Sequence, residues 1–360
     1  MSNPYADPNT ARLLLDDIRK LRTGQPLRIM EVCGTHTVAL FRTGLRTALG
    51  ELGIKLLSGP GCPVCVTPRG ITDAAIALAN ISGVELVTFG DMMRVPGSVQ
   101  TLTEARAQGA HVRVVYSPHD ILSLASSDQH TAFVFLAVGF ETTLPTIAAM
   151  LTEAGEKNLP NILILPAGKF VPPALRALFA GGKRQVDALL LPGHVSTVLG
   201  SSSFSFVADE LNIPSAIAGF ELVDILLAVR ELATMRAEGR TEVANSYTRA
   251  VTESGNLKAR QLMDEVFVPA ESEWRGLGMV PASGATLSKG YRQRDALVHF
   301  DAAIPHVVEE EGCLCGSVLL GDCDPPDCPL FGLACTPERA IGACMVSTEG
   351  SCAAWFKYGR

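Results

Sequence analysis

No stretch of the 360-residue chain reaches the roughly 18 consecutive apolar residues that crossing a bilayer requires. The opening residues, Met1-Ser-Asn-Pro-Tyr-Ala-Asp7, are polar and lack a signal-peptide pattern, so a cytoplasmic protein with no membrane partner is expected. Blocks of lysine and arginine are also missing and the net charge is −7, which argues against nucleic acid as a partner. Charged residues are sparse at 19% while hydrophobic ones reach 47%, the balance of a well-buried globular protein long enough for two or three domains. Cysteine is absent from 247 consecutive residues between Cys65 and Cys313. What cysteine there is falls into two groups, Cys33, Cys62 and Cys65 first, then seven from Cys313 to Cys352. A reducing compartment does not keep disulfides as staples, and cysteines used as core filler would be scattered. Two groups therefore indicate two chemical sites, with metal or redox roles.

The stretch Ser58-Gly-Pro-Gly-Cys-Pro-Val-Cys-Val-Thr-Pro68 frames a C-x-x-C pair with two glycines and three prolines. Proline lacks an amide donor and glycine weakens helices and strands, so a stiff loop presenting Cys62 and Cys65 is expected. Apolar runs at 27–32, 54–57, 85–89, 112–116, 132–138, 162–165, 188–191 and 215–218 read as strands, with helical segments between most of them. One long amphipathic helix is expected from Glu221 to about Glu238, with a helical continuation toward Arg260. Such alternation predicts an α/β fold with parallel sheets covered on both faces. The expected plan is two parallel-sheet α/β domains, 1–125 and 126–225, facing each other across a cleft. A helical linker and a Cys-rich region that folds around a metal centre make up 226–360. Most strands lead into glycine turns, and ligands of open α/β sheets sit beyond the carboxyl ends of the strands. If Cys33 and the C-x-x-C stretch follow adjacent parallel strands, their three thiols belong to one site.

Cys33 stands where a strand gives way to a helix, a position that lowers a thiol pKa, and His36 is a base or hydrogen-bond donor nearby. Nucleophilic Cys–His chemistry would further need a third group and an oxyanion hole; a thiolate that binds metal or exchanges electrons needs neither. Cys62 and Cys65 have the spacing of a redox dithiol or of half a zinc site. His194, in Pro192-Gly-His194, serves chemistry or satisfies a turn; Lys169 meets an anion or forms an ion pair. The seven C-terminal thiols have few histidines nearby, which favours iron–sulfur or Cys₄ zinc ligation.

Taken together, Glu31-Val-Cys-Gly-Thr-His36, Gly59-Pro-Gly-Cys-Pro-Val-Cys65, Gly139-Phe-Glu-Thr-Thr143, Pro192-Gly-His194 and the ending Gly342-Ala-Cys-Met-Val-Ser-Thr-Glu-Gly-Ser-Cys-Ala-Ala-Trp355 resemble the hydrogenase maturation factor HypD family, in order and over nearly the whole chain. The resemblance implies a scaffold and redox factor for building the Fe(CN)₂CO unit of [NiFe]-hydrogenases, partnered by a small HypC-type chaperone and a HypE-type cyanide donor. It implies a [4Fe–4S] cluster on Cys315, Cys328, Cys335 and Cys352, with Cys313, Cys323 and Cys344 outside the pattern. It makes Cys33 the thiolate holding the assembling iron, shared with a cysteine of the HypC-type partner, with Cys62 and Cys65 as further iron ligands or an electron relay; His36 and His194 stay candidates from the residues alone. Two rival readings follow from the residues alone. One is an iron–sulfur-dependent protein disulfide reductase working through Cys62 and Cys65; the other is a structural zinc protein.

Overall fold

The computed structural model describes residues 3–21, 23–181, 186–308 and 311–359. The chain opens with helix α1 (Pro8–Lys20), whose N-cap Asp7 accepts from the amides of Asn9 and Thr10. Proline at its first position suits a helix start, where the missing amide hydrogen would have no partner. Strand β1 (Leu27–Glu31) runs into α2 (Gly34–Arg42) and α3 (Leu45–Glu51), and β2 (Ile54–Ser58) follows. The helical segment after β1 is broken into two at Gly44, whose φ of 72° lies in the left-handed region that glycine enters freely.

Next come α4 (Pro63–Val66), α5 (Arg69–Ala79), β3 (Val84–Thr88), β4 (Val112–Val114), β5 (Ala132–Gly139), β6 (Ile162–Lys169), β7 (Ala188–Pro192), β8 (Ser215–Ala218) and β9 (Val243–Asn245). The helical continuation toward Arg260 is not formed: the long helix Leu222–Glu238 ends at Gly239, φ 68°, and β9 follows. Within the part read as helical linker and Cys-rich region lies instead a long antiparallel hairpin, β10 (Phe267–Trp274) and β11 (Gly278–Leu287). Its outward-facing polar residues hide the strand pattern from a search for apolar runs.

One sheet has the order β2-β1-β7-β8-β9, all parallel; the other runs β10-β11-β6-β5-β3-β4, with the hairpin joined antiparallel to β6. Strand pairing thus crosses the expected divisions at 125 and 225. Residues 27–58 pair onward with residues 188–245, while residues 84–114 pair with 132–169. Successive residues of a strand face opposite sides. Ile29 and Leu190 join a cluster with Leu14, Ile18, Leu226 and Val229 on the outer face of the first sheet. Met30, Leu189 and Leu191 face inward and share one continuous buried cluster with Val134, Phe135 and Leu163 of the second sheet. No helix among the described residues is long and apolar enough to cross a membrane.

Candidate functional site

The carboxyl edge of the first sheet collects the candidate residues because β2, β1, β7 and β8 are consecutive neighbours there. From β2 comes the C-x-x-C stretch, from β1 Cys33 and His36, from β7 His194, and from β8 Gly219 and Phe220. The Cys33 and C-x-x-C backbones are in direct contact, since the Gly34 amide donates to the Gly61 carbonyl at 3.1 Å. A Cβ on Gly61 would fall 2.3 Å from the Cys33 nitrogen, so only glycine lets the two chains approach this closely.

The C-x-x-C stretch is not the irregular loop expected. Cys62 is the N-cap of the helical turn α4, its Sγ accepts from the Cys65 amide at 3.2 Å, and Pro63 occupies a first-turn position where its lack of an amide hydrogen does no harm. The expectation of a loop overlooked this exception at Pro63. Cys62 and Cys65 are joined as a disulfide with their Cα atoms 5.3 Å apart.

Cys33 is buried, and burial together with the Glu349 carboxylate pushes its thiol up to about 11, despite hydrogen bonds from Thr35 and the His36 amide that favour the thiolate. The low pKa expected from its place at a helix start is therefore reversed; desolvation outweighs the helix. Glu349 reaches this point because the C-terminal segment lies on the start of α2. Thr35 Oγ1 donates to Glu349 Oε1 at 2.6 Å, and a Cβ on Gly34 would fall 2.4 Å from the Glu349 carbonyl oxygen. The segment is held further by Arg46, which donates to Glu31 at 3.0 Å and lies over the Phe41 and Trp355 rings. An open cavity of about 730 Å³ beside Thr35 and Glu349 is walled mainly by α2 and residues 345–358.

His36 is fully buried and its pKa falls to about 4, chiefly through desolvation. The neutral ring donates from Nε2 to the Gly219 carbonyl at 3.0 Å, which leaves Nδ1 a buried lone pair with no hydrogen-bond partner. Phe220 stacks against His36 with centroids 4.8 Å apart and against His194 at 3.9 Å. Burial also lowers the His194 pKa. Lys169 lies on the second sheet, 3% exposed, donating to Ser272 Oγ and the Glu273 carbonyl, and so anchors the hairpin rather than meeting an anion.

Six C-terminal thiols, Cys313, Cys315, Cys328, Cys335, Cys344 and Cys352, line one small cavity; Cys323 is not in the lining. All four expected cluster ligands are there, and so are Cys313 and Cys344, which the spacing pattern leaves out. The Cys315 and Cys344 sulfurs are hydrogen-bonded at 2.9 Å. Shared protons from Cys313 and Cys344 hold Cys315 well below the ordinary thiol value and raise the other two. The short helices carrying Cys315 (Cys315–Leu319) and Cys344 (Ala343–Val346) both touch α4, so the two cysteine groups pack side by side. Among the described residues, no three His, Cys, Asp or Glu side chains stand ready to hold a metal ion. In kind, though, a lining of buried and half-buried thiols with no imidazole or carboxylate fits an iron–sulfur group.

The HypD family model, described as "Hydrogenase formation hypA family", matches residues 9–359. The chain belongs to the HypD family. It is 42% identical to the hydrogenase maturation factor HypD of Escherichia coli (strain K12), over 98% of this chain and 96% of that one. It is 44% identical to the HypD of Azotobacter vinelandii, covering 99% and 96%. The HypD of Rhodobacter capsulatus is 40% identical, covering 99% and 98%. A solved structure of the type III effector XopQ with adenosine diphosphate ribose aligns at TM-score 0.17 and 12% identity over 88% of this chain and 98% of that one, too slight to carry an argument. Sequence reasoning passed over Glu349, Phe220 and Arg46 as individuals. Glu349 lies inside the Gly342–Trp355 ending singled out above; no motif named there contains Phe220 or Arg46.

Proposed function

We propose that this HypD-family chain is the scaffold and redox factor on which the Fe(CN)₂CO unit of [NiFe]-hydrogenases is assembled. The observation that carries the reading is the packing of Cys33 against the C-x-x-C turn, with the helices that carry Cys315 and Cys344 touching the same turn. Iron is the cargo. Cys33 supplies one thiolate for it, a HypC-type chaperone supplies a second, and a HypE-type donor delivers cyanide. Thiolates suit the soft, electron-rich iron that carries cyanide and carbonyl. The Cys33 thiol, held protonated by burial and Glu349, gives up its proton when iron binds, because only the thiolate is a ligand. His36 is neutral and offers the Nδ1 lone pair as acceptor on the same sheet edge.

Cys62 and Cys65 act as an electron relay. Their disulfide supports that role over direct ligation, since bonded sulfurs are not free thiolates. Cys328, Cys335 and Cys352 would hold a [4Fe–4S] cluster together with Cys315 or Cys313, and bound there it would supply single electrons. Ligation by Cys313 would leave Cys315 and Cys344, already in contact, as a thiol pair beside the turn. The same disulfide favours the second reading, reduction of a protein disulfide through Cys62 and Cys65.

The test is anaerobic purification with HypC and infrared spectroscopy. Carbonyl and cyanide bands are expected in the wild-type complex and absent with Cys33→Ala. Bands that persist in that variant overturn the role of Cys33. Reduction of a protein disulfide substrate, with a supplied electron donor and without bound iron cyanide, would favour the reductase.

A further inference from the structure

The tip of the β10–β11 hairpin, Trp274-Arg275-Gly276-Leu277, reaches from the second sheet to the C-x-x-C turn. The Arg275 amide donates to the Val66 carbonyl at 2.8 Å, and its guanidinium donates to the Thr67 carbonyl at 3.0 Å. These are carbonyls at the end of the single helical turn α4, where no following turn of helix supplies donors. Arg275 is only 4% exposed, and Trp274 beneath it is 1% exposed and stacked on Phe140 at 5.8 Å, so the tip is rigidly seated. On its other side a Cβ on Gly276 would fall 2.9 Å from the Gly316 Cα, next to Cys315. One hairpin tip thus grips the end of the disulfide turn and touches the C-terminal cysteine region.

We infer that Arg275 is a positioning residue that couples the redox state of the Cys62–Cys65 pair to the hairpin, by clamping the turn in the closed form the disulfide requires. The inference rests on the relay reading above. A disulfide needs its Cα atoms within about 4.4–6.8 Å, and the closed turn holds them 5.3 Å apart. Two free thiols carry no such requirement, so the reduced pair gains by letting the turn open. Whatever stabilises the closed turn therefore favours the disulfide, and by linkage reduction loosens the grip of Arg275 in equal measure. The reaction is balanced with any dithiol as reductant. A thiolate attacks one sulfur of the pair and forms a mixed disulfide, and the second thiol of the reductant displaces it. Two electrons and two protons pass to Cys62 and Cys65, and the reductant leaves as its own disulfide.

The experiment equilibrates the full chain, wild type, Arg275→Met and Arg275→Lys, with mixtures of reduced and oxidised dithiothreitol under anaerobic conditions. Alkylation and peptide mass spectrometry then read Cys62 and Cys65. Arg275→Met is expected to shift the equilibrium toward the dithiol by about tenfold, a rise of about 30 mV. Arg275→Lys, which keeps the charge but loses the planar fork, should move in the same direction by less. Lysine serves as the test if the methionine variant does not fold. Hydrogen exchange at Cys65 and Val66 should quicken in the reduced wild type. An unchanged potential in the folded variants, or a shift toward the disulfide, overturns the clamp, since loss of a buried positive charge acts in that second direction. A wild-type pair that does not titrate at all overturns the relay reading instead.

Discussion

The Cys33 thiol stands between opposing influences whose balance can be moved one group at a time. Burial and the Glu349 carboxylate raise it to about 11, while Thr35 and the His36 amide stabilise its anion. Removing a nearby negative charge favours the thiolate, so Glu349→Gln should lower the pH midpoint of Cys33 alkylation by iodoacetamide. A midpoint that stays or rises would mean that Glu349 acts on Cys33 only through the Thr35 hydrogen bond. Residue types and position made much of this site readable, because Cys33 and His36 follow the carboxyl end of a strand, where ligands of open α/β sheets sit. The sign of the pKa shift was not readable. It depends first on burial and then on Glu349, which lies more than three hundred positions away in sequence and reaches Cys33 only once the C-terminal segment has docked.

At the scale of elements, the decisive contact is the approach of β1's exit to β2's exit through Gly61. Gly61→Ala would force a methyl carbon into the Cys33 backbone and should destabilise the chain by about 2 kcal/mol or more. Gly50 lies in α3 with open space around its Cβ position, so Gly50→Ala should stabilise by about 0.5–1 kcal/mol. Denaturant titration of the two variants checks both signs; a neutral Gly61→Ala would mean that the two turns are not packed as described. The parallel strands were legible because strands covered on both faces are nearly all apolar, as Ala132–Gly139 and Ala188–Pro192 are. The hairpin was not, since its first strand is buried only at its ends, Phe267 and Trp274, with exposed or half-buried residues such as Pro269, Glu271 and Glu273 between them. That omission also hid Arg275, whose only distinction in the sequence is its place before a glycine.

For the molecule as a whole, two sheets are threaded by one chain that starts in the first, builds most of the second and then returns. A linear reading assigns strands to domains in the order they occur, and nothing local in Leu27–Glu31 states that its partner is Ala188–Pro192. With the inner faces sharing one buried cluster, neither sheet can shed the other without exposing apolar surface. A fragment of residues 1–125 should therefore remain unfolded alone, with no native near-ultraviolet circular dichroism. A folded fragment would show that β1 and β2 need no β7. The full chain should unfold in one cooperative transition by probes placed in either sheet.

The return of the chain to its first sheet also sets a timetable. During synthesis the segments bearing Cys33, Cys62 and Cys65 leave the ribosome early, but β7 and β8, which flank them, follow only after the whole parallel part of the second sheet has been made. At about 5–20 residues per second, that interval is on the order of ten seconds or more. Throughout it the three thiols have neither His194 and Phe220 beside them nor Glu349 above, and they are open to oxidants and stray metal ions. An oxidant met during that interval would find the three thiols uncovered, and the cover over Cys33 is complete only once the C-terminal segment that carries Glu349 has been made and docked.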